Sequence, residues 1–141
     1  MLHPVRRTAC LALLAAACSG SFAQAEADLG KSEYISNCAP CHGAGGKGDG
    51  VVRQYLTVKP TDLTTLAKRN GGALPVQLVW EMIDGRTPTV LGPHGTREMP
   101  IWGSTYRSRA MWQPETAAAP EWYVRGRIVA LIDYLGRIQE K

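Results

Sequence analysis

Two cysteines and a histidine at close spacing carry the most reactive chemistry in this sequence. Cys38-Ala39-Pro40-Cys41-His42 places two thiols three positions apart, with an imidazole directly after the second thiol. A redox-active dithiol is one chemistry open to such a group, but thioredoxin-like dithiols lie in a βαβ pattern and the flanks here have a helical pattern. A zinc site needs four ligands, and beyond residue 23 the cysteines and histidines are Cys38, Cys41, His42 and His94, two of which are sequence neighbours. A structural disulfide between residues this close would constrain the unfolded chain very little.

The same segment matches the C-x-x-C-H pattern of c-type haem attachment. The spacing suits that chemistry because each thiol adds to one of two neighbouring vinyl groups, while the adjacent imidazole reaches the iron. We therefore predict one covalently bound haem c, with thioether bonds at Cys38 and Cys41 and with His42 as the proximal iron ligand. The glycine-rich residues 43–50 that follow lack the Gly-Lys-Ser/Thr ending of a phosphate-binding loop.

The N-terminal residues have the order of a cleavable secretory signal. Two arginines precede a short apolar segment at residues 9–18, and small residues suited to cleavage follow. We expect residues 1–23 to be a signal peptide and residues 24–141 to form a single domain in the periplasm. Lipid attachment at Cys18 is the less favoured route, because alanine stands three positions before it where a bulky aliphatic residue is usual.

Composition and charge are those of an ordinary globular protein. Hydrophobic residues make up 45% and charged residues 20% of the 141 residues, and the formal net charge is +4. Without residues 1–23 the chain keeps 14 basic and 12 acidic residues, a net charge of +2. No basic stripe with interleaved aromatic residues is present, so we expect no nucleic acid partner.

The rest of the sequence has helical periodicity, with no strand alternation, internal repeat or domain linker. Capping residues and apolar spacing predict short helices that begin after Asp28, begin near Thr61 or Asp62, span residues 74–84 and span about residues 121–139. Residues 103–120 are rich in small, polar and proline residues, and we expect this segment to be irregular.

Around the haem motif the sequence resembles a small class I cytochrome c, over about residues 28–139. Gly30 and Tyr34 lie four positions apart on one helix face and resemble the family's small-plus-aromatic pair, which crosses the C-terminal helix. Residues 59–64 (KPTDLT) are similar to the family's Pro-x-Asp-Leu-Thr turn. The resemblance implies an all-α, cytochrome c-like fold of about four to five short helices wrapped around one covalently bound haem.

Met99 is the distal iron ligand that the resemblance implies. Residues 97–103 (REMPIWG) resemble the family's Met-Pro distal loop, in which proline fixes the backbone after the ligand. His94 is the alternative ligand, because cytochromes with two axial histidines exist. Met82 fits core packing on a helix, and Met111 falls in the segment expected to be irregular.

The propionates of the predicted haem are carboxylates that are costly to bury without a partner. Trp102 follows the Met-Pro pair, and in the family an aromatic residue near this point often donates to a propionate. The indole N–H is a donor only, which suits a carboxylate. Arg86 and Arg97 are charged candidates for the same contact, since a guanidinium binds a carboxylate in a bidentate way.

The resemblance implies a one-electron carrier of a respiratory electron-transfer chain, and not an enzyme. When His and Met fill both axial positions, substrate chemistry at the iron is not expected. Its partners would be redox proteins, with no small-molecule substrate. One alternative is a haem c electron-accepting subunit of a dehydrogenase or oxidase complex. Another is an enzyme in which a labile Met99 opens the iron to a small ligand.

Overall fold

The computed structural model of the chain describes residues 28–86 and 99–141. These residues form helices joined by turns and loops, and no strand is present among them. The all-α fold class that the resemblance implies is confirmed for these residues. The signal peptide expected at residues 1–23 lies outside the described residues, and so do Cys18, His94 and Arg97.

The Cys-x-x-Cys-His motif lies at the end of the first helical stretch. Helix α1 (Leu29–Glu33) passes through one π-helical turn (Tyr34–Cys38) into α2 (Ala39–His42). Asp28 caps the stretch as expected, with its carboxylate accepting from the Lys31 N–H at 2.9 Å. π-Helical turns inside α-helices are frequent at functional sites, and this one ends on the first cysteine of the motif.

Short helical segments lead from the motif to the middle of the chain. They are the 3₁₀ turns Arg53–Tyr55 and Leu63–Thr65, then α3 (Leu66–Arg69) and α4 (Val76–Asp84). Asp62 caps the second turn by accepting from the Thr64 N–H at 2.8 Å. Helix α4 begins slightly later than predicted because Pro75 is its N-cap, and it ends at Gly85, whose φ of 66° is left-handed.

The expectation that residues 103–120 are irregular was wrong. They are mostly helical, with α5 (Trp102–Met111) and α6 (Pro114–Ala117). The buried residues of α5 are Gly103, Tyr106 and Ala110. They are three and four positions apart, and none has a large aliphatic side chain. A helix whose contact face is small and aromatic gives almost no aliphatic periodicity, which is why the pattern was missed.

The last helix, α7 (Pro120–Arg137), supplies much of the core and packs against α1, α4 and α5. Its buried side chains have helical spacing: Val124, Ile128, Leu131, Tyr134 and Leu135. The predicted bounds, about 121–139, agree within two residues. Of the helices in residues 28–86 and 99–141, none is long and apolar enough to cross a membrane.

Helices α1 and α7 approach most closely at Gly30. A Cβ placed there would lie 2.0 Å from the carbonyl oxygen of Ala130 and 2.9 Å from the Cβ of Tyr134. One turn later, the ring of Tyr34 lies 5.0 Å from that of Tyr134 between centroids. The small-plus-aromatic pair therefore crosses the C-terminal helix, as the sequence predicts.

We expect Gly30→Ala to lower the free energy of unfolding by about 1–3 kcal/mol, the usual cost of overpacking a close contact. Gly126→Ala is the matched control on α7, since a Cβ there meets no atom within 4 Å. That change should raise stability by about 0.5–1 kcal/mol, because glycine inside a helix is unfavourable relative to alanine. Urea unfolding followed by circular dichroism measures both, and equal effects of the two variants would contradict the crossing.

Candidate metal and cofactor centre

An apolar cavity of about 370 Å³ lies among the π-helical turn, α2, α3, α4, the start of α5 and α7. Its volume is in the range of small-molecule and cofactor sites. Five of the six residues predicted to form the site line it: Cys38, Cys41, His42, Met99 and Trp102. Residues far apart in the sequence are thus brought to one place, and the cavity walls around them are mainly hydrophobic.

The two cysteine thiols are free and partly buried. Burial, followed by the negative charges of Glu33 and Cys41, raises the pKa of Cys38 to about 12. At neutral pH this thiol is therefore protonated, whereas redox-active dithiols rely on a lowered pKa. Within residues 28–86 and 99–141, no group of three or more His, Cys, Asp or Glu side chains is placed to hold a metal ion. The raised pKa of Cys38 disfavours the redox-dithiol alternative.

The His42 imidazole has the orientation and charge state of a metal ligand. Its Nδ1 lies 3.0 Å from the carbonyl oxygen of Thr61. A carbonyl oxygen only accepts, so Nδ1 carries the proton and the lone pair of Nε2 is left for a metal. Burial lowers the pKa of His42, against the opposing effect of the Thr61 contact, which favours the neutral form that binds metals.

The glycine-rich residues 43–50 fold back onto the end of α2. The Gly48 N–H donates to the carbonyl oxygen of His42 at 2.8 Å. Gly43 has a φ of 80°, a left-handed conformation that glycine adopts without strain. The Tyr34 hydroxyl donates to the Gly43 carbonyl oxygen at 2.7 Å. Together these bonds hold the proximal end of the motif against α1.

The segment that carries the Thr61 carbonyl is itself held from two sides. The Leu63 N–H donates to the carbonyl oxygen of Gly46 at 2.7 Å. The Gln139 side chain donates to the Leu63 carbonyl oxygen at 2.8 Å and accepts from the Ala67 N–H at 2.9 Å. The last residues of the chain thereby fix the backbone group that orients the proximal histidine.

Two methionines line the cavity. Met99, the predicted distal ligand, lies three positions before α5, and Met82 lies on α4. The Trp102 ring also lines the cavity and stacks at 5.9 Å on Tyr106, between centroids. Met111 is exposed and lies outside the cavity lining. The structure thus places the predicted thioether in the same cavity as His42, while His94 is outside the described residues.

Arg86 is the predicted site residue that does not line the cavity. Its Nε donates to Asp84 Oδ1 at 2.8 Å, and its Nη1 donates to both carboxylate oxygens of Glu121 at 2.9 Å. The guanidinium thus already has two carboxylate partners. A propionate contact of Arg86 stays a prediction, and Trp102 is the propionate candidate that lies at the cavity.

Sequence reasoning missed three groups at this centre. The Thr61 contact is made by a backbone carbonyl, for which the side chain gives no signal. Met82 was assigned to core packing alone. Asn37 also lines the cavity, and a signal for it was available, since it lies four positions before Cys41 on the same helical stretch.

The donor set fits an iron porphyrin. The two thiols have the spacing that thioether attachment needs, and the neutral imidazole and the thioether are ligands that c-type cytochromes place on haem iron. The apolar walls suit a large, flat hydrophobic group. The residues present therefore match haem c better than they match a zinc ion or a catalytic thiol.

Comparison with known proteins gives one family. The family model described as cytochrome c oxidase, cbb3-type, subunit III matches residues 25–113. The matched range includes the Cys-x-x-Cys-His motif and Met99, and it ends shortly after α5. No curated protein and no solved structure matches the chain.

We expect Met99→Ala to abolish the sulfur-to-iron charge-transfer band of the holoprotein and to lower its reduction potential, because a thioether ligand favours ferrous iron. Absorption spectra of the oxidised protein and optical redox titration measure the two effects. Met111→Ala is the control outside the cavity, and Met82→Ala tests the second cavity thioether. Loss of the band in Met82→Ala with retention in Met99→Ala would contradict the assignment, and absence of the band from the unmodified holoprotein would favour His94.

Proposed function

Because the chain belongs to the family of cytochrome c oxidase, cbb3-type, subunit III domains, which are c-type cytochromes, we propose that it is a periplasmic monohaem electron carrier. The covalently bound haem c that the motif predicts is confirmed as the cofactor of this family. When bound, the haem supplies a one-electron couple. The proposal is carried by the cavity in which two thiols, the oriented His42 imidazole and the Met99 thioether meet.

The residues of the centre have distinct parts in this proposal. Cys38 and Cys41 hold the cofactor covalently, and His42 binds the iron through Nε2. Thr61 keeps the His42 ring in position through its carbonyl oxygen. Met99 would supply a second ligand to the iron. With ligands from both His42 and Met99, the iron would have no free site for a substrate, so we propose electron transfer without catalysis.

The apolar side chains around the centre keep water away from it. Val79, Leu131 and Leu135 are buried and line the cavity from α4 and α7. Burial in a medium of low dielectric disfavours the additional charge of the oxidised iron. The walls of the cavity therefore favour the reduced state, in the same direction as a thioether ligand.

Electrons need a route to the protein surface. Val58 and Leu78 both line the cavity and are also 58% and 51% exposed. The cavity thus reaches the surface between the segment before Pro60 and helix α4. A transient redox partner needs only a small interface, and an apolar edge of this kind is sufficient for a short encounter.

The family description favours a second candidate function, a haem c electron-accepting subunit of an oxidase complex. Large exposed aromatic residues support it. Trp112 and Trp122 are 86% and 77% exposed at the end of α5 and the start of α7. Exposed aromatic residues are enriched at protein interfaces, and a permanent partner would cover them.

The proposed periplasmic location depends on residues 1–23, whose order of two arginines, apolar segment and small residues is typical of a cleaved signal. Haem attachment to a Cys-x-x-Cys-His motif after export is consistent with this. A lipid-linked form processed at Cys18 is the alternative, and the mass of the N-terminal peptide distinguishes the two.

Expression with export and haem-attachment machinery should give a coloured protein whose mass equals residues 24–141 plus one haem. The colour should stay with the polypeptide in acidified acetone, because thioether bonds survive denaturation. Replacement of both Cys38 and Cys41 by alanine should give colourless, weakly folded chain, since the cavity would lack its largest apolar body. A mass equal to the bare chain, or haem that extracts freely, would contradict the proposal.

A free carrier should fractionate with soluble periplasmic proteins and elute as a small species without an oxidase. Trp112→Ser together with Trp122→Ser should leave its fractionation and electron-transfer rate unchanged, because transient docking uses the cavity edge. Stoichiometric co-purification with an oxidase from membranes, lost in the double variant, would overturn the carrier and favour the subunit. Gel filtration and haem staining of each fraction provide the measurement.

A further inference from the structure

A buried ion pair joins α1 to α7 beside the cavity wall. The Glu33 carboxylate, on a residue only 8% exposed, pairs with the Arg127 guanidinium. Its second oxygen accepts from the Asn37 amide at 2.8 Å. Asn37 and its neighbour Cys38 both line the cavity. A charged group is thus connected, through one side chain, to the surface that faces the cofactor.

The buried pair is not the only link between the two helices. Ion pairs taken out of water are weak contributors to stability, because desolvation opposes the Coulomb attraction. The same two helices are also joined by Asp28 and Arg137, which make two hydrogen bonds at 2.7 and 2.8 Å near solvent. The buried pair therefore calls for an explanation other than holding α1 against α7.

The negative charge of Glu33 acts on two groups near the cavity. Burial raises the pKa of Cys38, and the Glu33 carboxylate raises it further. Burial and then the Glu33 carboxylate also raise the pKa of Tyr106, a fully buried residue. Asn37, which lines the cavity, bonds the Glu33 carboxylate, whereas Arg127 does not line the cavity. The negative member of the pair is thus the one connected to the wall.

We propose that the Glu33 carboxylate, held in place by Arg127 and Asn37, tunes the reduction potential of the centre by stabilising its oxidised state. The inference rests on the electron-transfer function proposed above. Loss of one electron leaves one more positive charge at the iron, and a carboxylate in a medium of low dielectric attracts that charge. Glu33 would thus act through its charge and would not itself be a ligand of the iron.

The test compares midpoint potentials of holoprotein variants, measured by optical redox titration. Glu33→Gln keeps the size of the side chain and an acceptor for Asn37, and should raise the potential. Arg127→Lys keeps the positive partner and should leave the potential close to that of the wild type. Asp28→Asn is the matched control, because it removes an exposed carboxylate from the same helix pair and should leave the potential unchanged.

If Glu33→Gln alone does not fold, the double variant Glu33→Gln with Arg127→Met replaces it in the redox titration. It replaces the buried pair by uncharged side chains of similar size, an exchange that proteins tolerate well. Its potential should lie above that of the wild type and below that of Glu33→Gln, since both charges are gone. Thermal unfolding of every variant separates a change in stability from a change in potential.

The inference is overturned if Glu33→Gln, or the double variant in its place, shifts the potential no more than Asp28→Asn does. In that case Glu33 has a structural part only. A holoprotein without a reversible one-electron couple would instead contradict the proposed function itself. A reversible couple whose midpoint potential does not change with the charge at position 33 contradicts only the proposed tuning. The two failures are therefore distinguishable.

Discussion

The contact of α1 with α7 at Gly30 is the constraint on which the rest of the structure depends. A side chain at this position would meet the backbone of Ala130, so only glycine lets the two helices approach. The approach stacks Tyr34 on Tyr134 and directs the Tyr34 hydroxyl to the Gly43 carbonyl. The loop below the motif is fixed as a result. One small residue thus connects the packing of α1 against α7 to the geometry of the proximal ligand.

Features with a local cause could be predicted from the sequence. The cap at Asp28, the stop at Gly85 and the Cys-x-x-Cys-His motif all depend on neighbours within a few positions. Helix α5 escaped prediction because its buried face is built on Gly103 and Ala110 in place of aliphatic residues. The pair of Glu33 and Arg127 spans 94 positions, and no spacing rule connects residues so far apart.

Residues far apart in the sequence hold the proximal side of the centre in place. The family match ends at residue 113, yet Gln139 holds the segment that carries the Thr61 carbonyl. The residues that bind and orient the cofactor are thus not confined to the part of the chain that the family model matches. In metal sites, loss of a group that orients a ligand typically lowers metal affinity or activity about 10- to 100-fold. The C-terminal residues belong to the site in this sense.

The ion pair of Asp28 with Arg137 joins residues 109 positions apart. Contacts of such long range form late in folding, because closing a large loop has an entropic cost that only the finished contact offsets. The wall that α7 gives to the cavity is therefore completed late in folding. Before that step the cavity is not yet closed around the two thiols. The order of assembly thus leaves an interval in which an attachment enzyme can reach the cysteines before the fold closes over them.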